Sequence, residues 1–375
     1  MTMVNKMKQL KLFGLTALTA ASLASCDMMH DDTDYCPTGL YLTFKYDYNL
    51  QRANMFSDHV GAVSLYVFDE QGRYVARYDE ANTAGSKPLK SPSYTMRIAD
   101  LQPGKYTFIA LAGQTAYDAQ MLSQRAKFVR TEPAAGGDTT ALAINLDKTA
   151  TGSDHLYTID NHNLPLDTLW HGMRTTPIYI TNTRPTYDTL SLVRDTKHIS
   201  VSLRELDEPS EMDIADYRMR IVDRNSAIRH DNSIDESDTV AYTPYATWNT
   251  TDKAPLDGET RGGGDTPTVV EGRTARADFM TSRLIWHADR QDDAQLIIDF
   301  LPTGREVARI NLVDYLMQVR THLDHIYGAQ EYLDRGYDYG LQFFLKSGKI
   351  QYCYITVSIN QLSWNVRRQF EELGK

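Results

Sequence analysis

Apolar side chains return at every second position along much of this chain, and that period dictates the class of fold. Leu40, Leu42, Phe44 and Tyr46 alternate with Tyr41, Thr43 and Lys45. Successive strand residues point to opposite faces, so such a run makes a half-buried strand; a helix would scatter the same residues around its circumference. Residues 63–68 and 73–78 flank Asp69-Glu70-Gln71-Gly72, a hairpin signature. Residues 94–98 alternate again. Leu101-Gln102-Pro103-Gly104 then turns the chain into 105–112, because proline presets φ and glycine supplies a positive one. A short strand is expected over 141–146. After Thr183-Arg184-Pro185 a second series begins, with strands expected over 189–193, 198–203 and 217–222. A hairpin follows around Pro302-Thr303-Gly304-Arg305, and a last strand over 352–359. Short strands with turn residues between them predict an all-β chain of two tandem β-sandwiches.

Three stretches lack this period. Residues 117–127 read as a short helix or crossover, and 313–319 as one or two helical turns. Residues 252–273, with Gly262-Gly263-Gly264 among charges and prolines, read as a long surface loop. The glycine triplet is followed by no helix-like run, so it lacks the amide cradle that binds phosphate.

The N-terminus sets the address. Lys6, Lys8 and Lys11 precede an apolar run over 12–23 that ends in Leu23-Ala24-Ser25-Cys26. A dozen residues cannot cross a bilayer core, which needs roughly 20, so the run reads as a secretory segment that is removed. Small residues leading into cysteine form a bacterial lipobox, which makes Cys26 the expected lipidation site. Several acyl chains anchor firmly, at about 0.8 kcal/mol per buried methylene. Residues 27–34 form an acidic tether. The expected organisation is a signal peptide over 1–25, a lipidated tether over 26–36, an N-terminal sandwich over 37–186 and a C-terminal sandwich over 187–375.

Removing the three signal lysines takes the formal charge from −10 to −13. A body this acidic is repelled by phosphate backbones, which argues against nucleic acid as a partner. Besides Cys26 the chain holds Cys36 and Cys353. They lie in a compartment where disulfides persist, and they either pair or leave Cys353 as a small buried strand residue. No CxxC or HExxH motif points to a metal, and no cofactor motif is present.

Catalytic chemistry is hard to find. There is no G-x-S-x-G elbow. His155, His162 and His171 fall near Asp154, Asp160 and Asp167, at a spacing that fits no ligand pattern, so they read as loop histidines beside turn-forming aspartates. Asp31-Asp32 and Asp292-Asp293 would need a defined cleft to act as glycosidase carboxylates. The 23 tyrosines could stack on sugars but suit sandwich cores better. Thr139, Thr168, Thr189 and Thr239 each follow an aspartate, in a pattern that resembles the O-glycosylation acceptor of Bacteroidota.

One larger resemblance organises these features. The lipobox, the tether, Asp34-Tyr35-Cys36-Pro37 and Phe44-Lys45-Tyr46-Asp47-Tyr48-Asn49 resemble the FimB-like family of fimbrial anchor subunits of Bacteroidota. Ala53-Asn54-Met55-Phe56, the 101–106 turn, Leu312-Val313-Asp314-Tyr315-Leu316 and Trp364-Asn365-Val366-Arg367 continue that pattern in order. Residues 230–275 do not match it. The resemblance implies two transthyretin-like sandwiches and no enzymatic activity. It also implies lipid attachment to the outer membrane and a fimbrial stalk subunit as partner through β-strand complementation, while the acidic tether resembles the surface-export signals of Bacteroidota lipoproteins, which implies a body facing outward. An anchor keeps its N-terminus and terminates the polymer. The competing readings are a surface glycan-binding lipoprotein, a tip or accessory adhesin of the same fold, and a hydrolase.

Overall fold

The computed structural model describes residues 38–152, 155–255, 269–322, 326–360 and 363–370. The first strand, β1 (Gly39–Lys45), leads through a short helix, α1 (Phe56–His59), into β2 (Ala62–Asp69) and β3 (Tyr74–Ala81). Then come β4 (Met96–Ile98), β5 (Gly104–Gly113), the helix α2 (Tyr117–Met121), β6 (Phe128–Thr131), β7 (Ala143–Leu146), β8 (Thr149–Ala150) and β9 (Leu156–Ile159). The strands β10 (Trp170–Ile180), β11 (Pro185–Ser191) and β12 (Val193–Arg194) follow. The rest comprises β13 (Lys197–Glu205), β14 (Tyr217–Asp223), β15 (Ala227–Arg229), β16 (Ile234–Asp235), β17 (Thr239–Tyr242), β18 (Ala246–Pro255), β19 (Val269–Thr281), β20 (Gln295–Phe300) and β21 (Arg305–Asn311). After these come the helices α3 (Leu312–Met317) and α4 (Ala329–Arg335), and finally β22 (Asp338–Lys346), β23 (Lys349–Asn360) and β24 (Ser363–Phe370).

The first sandwich packs the three-stranded sheet β11-β1-β4 against the five-stranded sheet β12-β10-β5-β2-β3. Their shared core is the set that the alternation marks: Leu40, Leu42 and Phe44 from β1 meet Val63, Leu65 and Val67 from β2 and Phe108 and Ala110 from β5. Strand β1 is central. It runs parallel to β11, with Gly39 opposite Pro185 and Lys45 opposite Ser191, and antiparallel to β4. Gly39 has φ +100°, and a Cβ there would lie 2.3 Å from the Ile98 carbonyl oxygen, so only glycine fits this entry.

The second sandwich packs β18-β19-β13-β22-β23-β24 against β21-β20-β14-β17-β9-β8. The division between sandwiches is therefore not one cut in the sequence: β8 and β9 precede β10 in the chain yet complete this second body. A four-stranded sheet, β16-β15-β7-β6, joins the two bodies. It covers the outer face of the β5-β2 pair, so Phe128, Ile144 and Leu146 share a core with Tyr66, Phe68, Ile109 and Leu111 and with the interior of the second sandwich. That explains why β2 is buried at every position from Ala62 to Phe68, with Ser64 as its one polar residue there. A strand covered on both faces loses its polar alternate positions.

The all-β architecture agrees with the sequence reading, and so do the helical turns at 117–121 and 312–317. Asn311 caps the latter by accepting the Asp314 amide proton at 2.9 Å. The loop expected over 252–273 is a correction. Its two ends are paired strand, with Pro255 opposite Val269 and Arg273 opposite Thr251. Residues 256–268, including the glycine triplet, lie outside the described residues. Cys353 is buried in β23, while Cys36 lies outside the described residues.

Truncating the centre of β1 tests its packing. Leu42→Ala is expected to cost about 3 kcal/mol in denaturant unfolding, because Leu42 is 1% exposed and its removal leaves a cavity in the core. Thr43→Ala, on the outer face, is expected to cost less than about 1 kcal/mol. Equal effects would contradict the central placement of β1.

Candidate functional site

The chain passes between the sandwiches through Arg194-Asp195-Thr196-Lys197. A linker of this composition ordinarily lies in water. Here Asp195, Thr196 and Lys197 are 0% exposed and Arg194 is 9%. Such residues are almost never fully buried unless they are paired, and the pairing is extensive. Lys197 Nζ donates to the carbonyl oxygens of Arg194 at 3.0 Å, Asp334 at 3.1 Å and Gly336 at 2.9 Å. Two of these carbonyls lie at the C-terminus of α4, where helix carbonyls lack intrahelical partners and attract cations. Burial pushes the Lys197 pKa down. The three acceptors oppose that shift, since only the ammonium form has three protons to give.

Asp334 lies beside this lysine and accepts a two-pronged pair from Arg283, Nε to Oδ1 at 2.8 Å and Nη2 to Oδ2 at 2.7 Å. Arg283 Nη1 also donates to the Asn232 carbonyl, and Asn232 in turn donates to Asp195 Oδ1 at 3.0 Å. Burial pushes the Asp195 carboxyl up, against the pull of the Arg283 guanidinium. Arg194 completes the junction by stacking 4.3 Å from the Tyr337 ring centroid and 5.7 Å from that of Trp170. A second contact crosses the junction nearby. Arg335 sits 3.9 Å from the Tyr48 ring and 4.7 Å from that of Tyr327, whose hydroxyl accepts from Arg52 Nε at 2.7 Å. Residues from both sides are thus held by charge-assisted bonds of fixed geometry.

His198, one residue beyond the junction, pins the first pair of the parallel β13–β22 register. Its Nδ1 lies 2.8 Å from Asp338 Oδ1 and its Nε2 3.8 Å from Asp278 Oδ2. Burial alone would lower its pKa. The Asp278 and Asp338 carboxylates outweigh burial and push it up to about 9.

The structure separates the residues that the sequence groups together. His155 faces Asp238 at 2.9 Å, exposed His162 faces Asp160, and buried His171 bonds the His230 carbonyl at 2.9 Å. Asp167 is buried and accepts from Thr115 at 2.9 Å, while Asp154 lies outside the described residues. No group of three or more metal-ligating side chains is placed to hold an ion among the described residues. Asp293 accepts the His287 backbone amide at 2.9 Å and an Asn311 bond at 3.0 Å, and its neighbour Asp292 pairs with Arg224 at 2.8 Å. Asp31, Asp32 and Cys26 lie outside the described residues. Tyr46, Tyr66, Tyr242, Tyr332 and Tyr339 are fully buried core residues. Thr189 is exposed, whereas Thr168 is 3% exposed and out of reach of a glycosyltransferase in the folded chain.

The fold is a first sandwich closed by its own strand and fused through a buried junction to a second one, and comparison with known proteins places it in a family. The family model described as fimbrillin-A associated anchor proteins Mfa1 and Mfa2 matches residues 33–370. The chain belongs to this family. It is 24% identical, over 84% of its own length and 84% of the relative's, to the minor fimbrium anchoring subunit Mfa2 of Porphyromonas gingivalis. Among solved structures, a candidate adhesin from Bacteroides thetaiotaomicron superposes with a TM-score of 0.68 at 27% identity, covering 87% of this chain and 99% of that one. The fimbrial anchor protein Mfa2 of Porphyromonas gingivalis has the same fold, with a TM-score of 0.54 at 18% identity over 85% and 97% of the two chains.

Two measurements probe the junction. Asp334→Ala leaves Arg283 buried without its carboxylate, and a loss of about 3–5 kcal/mol is expected in denaturant unfolding; a loss below about 1 kcal/mol would show the pair to be incidental. His198 holds its proton more tightly when folded than unfolded. Its contribution is therefore complete below about pH 6.5 and is lost as pH rises through about 9. The expected loss across that window, discounted for partial exposure, is about 2 kcal/mol relative to His198→Gln. Parallel pH profiles for the two proteins would contradict it.

Proposed function

We propose that this protein is a fimbrial anchor, held in the outer membrane by lipid on Cys26 and facing outward, at which the fimbria ends. The observation that carries this reading is the occupancy of the first sandwich by its own strand. In strand-complemented polymers an extended segment of one subunit fills a groove in the next and makes main-chain hydrogen bonds along it. Here the central position of the three-stranded sheet belongs to β1, whose Leu40, Leu42 and Phe44 are 0%, 1% and 2% exposed. A subunit that keeps this strand has no groove to offer, so assembly stops at it. Eleven residues separate Cys26 from Thr38. Fully extended, they span at most about 40 Å, which keeps the first sandwich close to the membrane.

The partner is a fimbrial stalk subunit that pairs with an open strand edge. Strand β24 is such an edge, with a sheet neighbour only on the β23 side among the described residues. A glycan-binding or adhesin reading has one feature in its favour, the outward-facing Tyr41–Tyr187 pair with ring centroids 5.1 Å apart. Those rings are tilted by 31°, a poor platform for a flat sugar face.

Deleting the gene is expected to give long fimbriae shed into the medium, as seen by electron microscopy. Cys26→Ala is expected to release fimbriae in the same way while leaving the purified protein's thermal unfolding unchanged. Fimbriae of normal length that stay cell-bound in both strains would refute the anchor reading.

A further inference from the structure

A polymer held to a cell is pulled, and the fold fixes how that pull crosses the first sandwich. The chain enters β1 at Gly39, beside Pro185 at the start of β11 and Ile98 at the end of β4. It leaves toward the second sandwich from the other end, where Ser191 lies opposite Lys45 and the Leu192 amide donates to the Lys45 carbonyl at 2.8 Å. Six residues beyond Ser191 the chain is already in β13 at Lys197. Entry and exit thus lie at opposite ends of two parallel neighbours, separated by the length of β1, about 20 Å at 3.3 Å per residue.

We infer that the parallel β1–β11 pair is a mechanical clamp loaded in shear. Tension that pulls Gly39 away from Ser191 draws β1 toward its N-terminus and β11 toward its C-terminus, so the two strands must slide past each other. All seven aligned pairs from Gly39–Pro185 to Lys45–Ser191 then resist together. An antiparallel hairpin pulled at its two open ends would instead unzip, its pairs breaking in succession. Side chains add a ratchet. A slip of one residue would turn Leu40, Leu42 and Phe44 out to solvent, and a slip of two would drive the Phe44 ring off its stack on Phe56, now 5.8 Å between centroids. The Tyr46 ring, at the exit end, abuts the Trp170 ring at 5.8 Å and is 0% exposed.

The second sandwich has a parallel pair of its own. Strand β13 takes the chain from the junction and lies parallel to β22 over eight pairs, from His198–Asp338 to Glu205–Leu345. The buried junction lies between the two parallel pairs. The clamp is a property of the fold; only its use in holding a fimbria rests on the anchor reading.

Single-molecule pulling separates shear from peeling with the same two strands. One handle is ligated to the N-terminus of the chain that begins at residue 26, in a Cys26→Ser, Cys36→Ser background. The second is attached at Ser191→Cys, where tension shears β1 against β11, or at Thr183→Cys, where tension peels β1 from its Gly39 end. Both positions are exposed, and Asn182→Cys substitutes for Thr183→Cys should that variant misfold. At equal loading rate the force that detaches β1 is expected to be at least two-fold higher through position 191. Forced unfolding reports the barrier rather than the equilibrium stability, so the comparison reads the pulling direction alone. Equal forces in the two geometries, or a lower force through position 191, would overturn the clamp. Because the readout uses purified protein, it stands whatever the gene deletion shows about fimbriae.

Discussion

The pairing of Gly39–Lys45 with the strands on either side of it is the contact on which the first sandwich depends. Remove that strand and a seven-residue trough opens through the core, lined by Val63, Leu65, Phe108 and Leu190, with the backbone groups of β11 and β4 unpaired along both walls. Buried main-chain donors and acceptors without partners are costly, and apolar side chains exposed along a trough more so. The same strand closes the domain to any incoming segment and receives whatever force arrives through the tether. The proposed closure and the inferred shear clamp rest on one physical feature, a central strand that the chain supplies to its own first sandwich.

The junction solves a different problem. Apolar burial is non-directional and would not by itself set one sandwich at a fixed angle to the next. The network of Lys197, Asp334, Arg283, Asn232 and Asp195 is directional, because hydrogen bonds weaken as their distance and angle depart from the ideal. Buried ion pairs add little net stability compared with a well-packed apolar replacement. What they add here is orientation: hydrogen bonds and ion pairs of fixed direction join the segment between the two bodies to its surroundings.

Much of the fold was legible because half-buried strands announce themselves by alternation. Strands β1, β3 and β14 show it cleanly, and the 69–72 and 302–305 turns carry the glycines their geometry needs. Strands β18 and β19 escaped because their side chains are mostly polar or small. Ala275, Ala277 and Phe279 alternate on the inner face, but two of the three are alanines, and Trp248 is the one large apolar group on β18. The junction escaped for the opposite reason. Arg194-Asp195-Thr196-Lys197 has the composition of a solvated linker, and only tertiary packing reveals that its charges find partners some forty and one hundred and forty residues away, at Asn232 and Asp334. The helix α4, which supplies two of the lysine's carbonyls, is too short to show a helical period. The anchor family, by contrast, was visible in the order of small motifs along the chain.

The central claim is that the working protein keeps its own first strand. Mass spectrometry of the protein extracted from fimbriated cells, reading the N-terminal peptide, tests it most directly. The expected result is an acylated Cys26 continuous with Gly39–Lys45. A mature chain that begins beyond Lys45 would mean that β1 is removed, that the first sandwich is open to a neighbour's strand, and that this protein is a polymerising subunit rather than the end of the polymer.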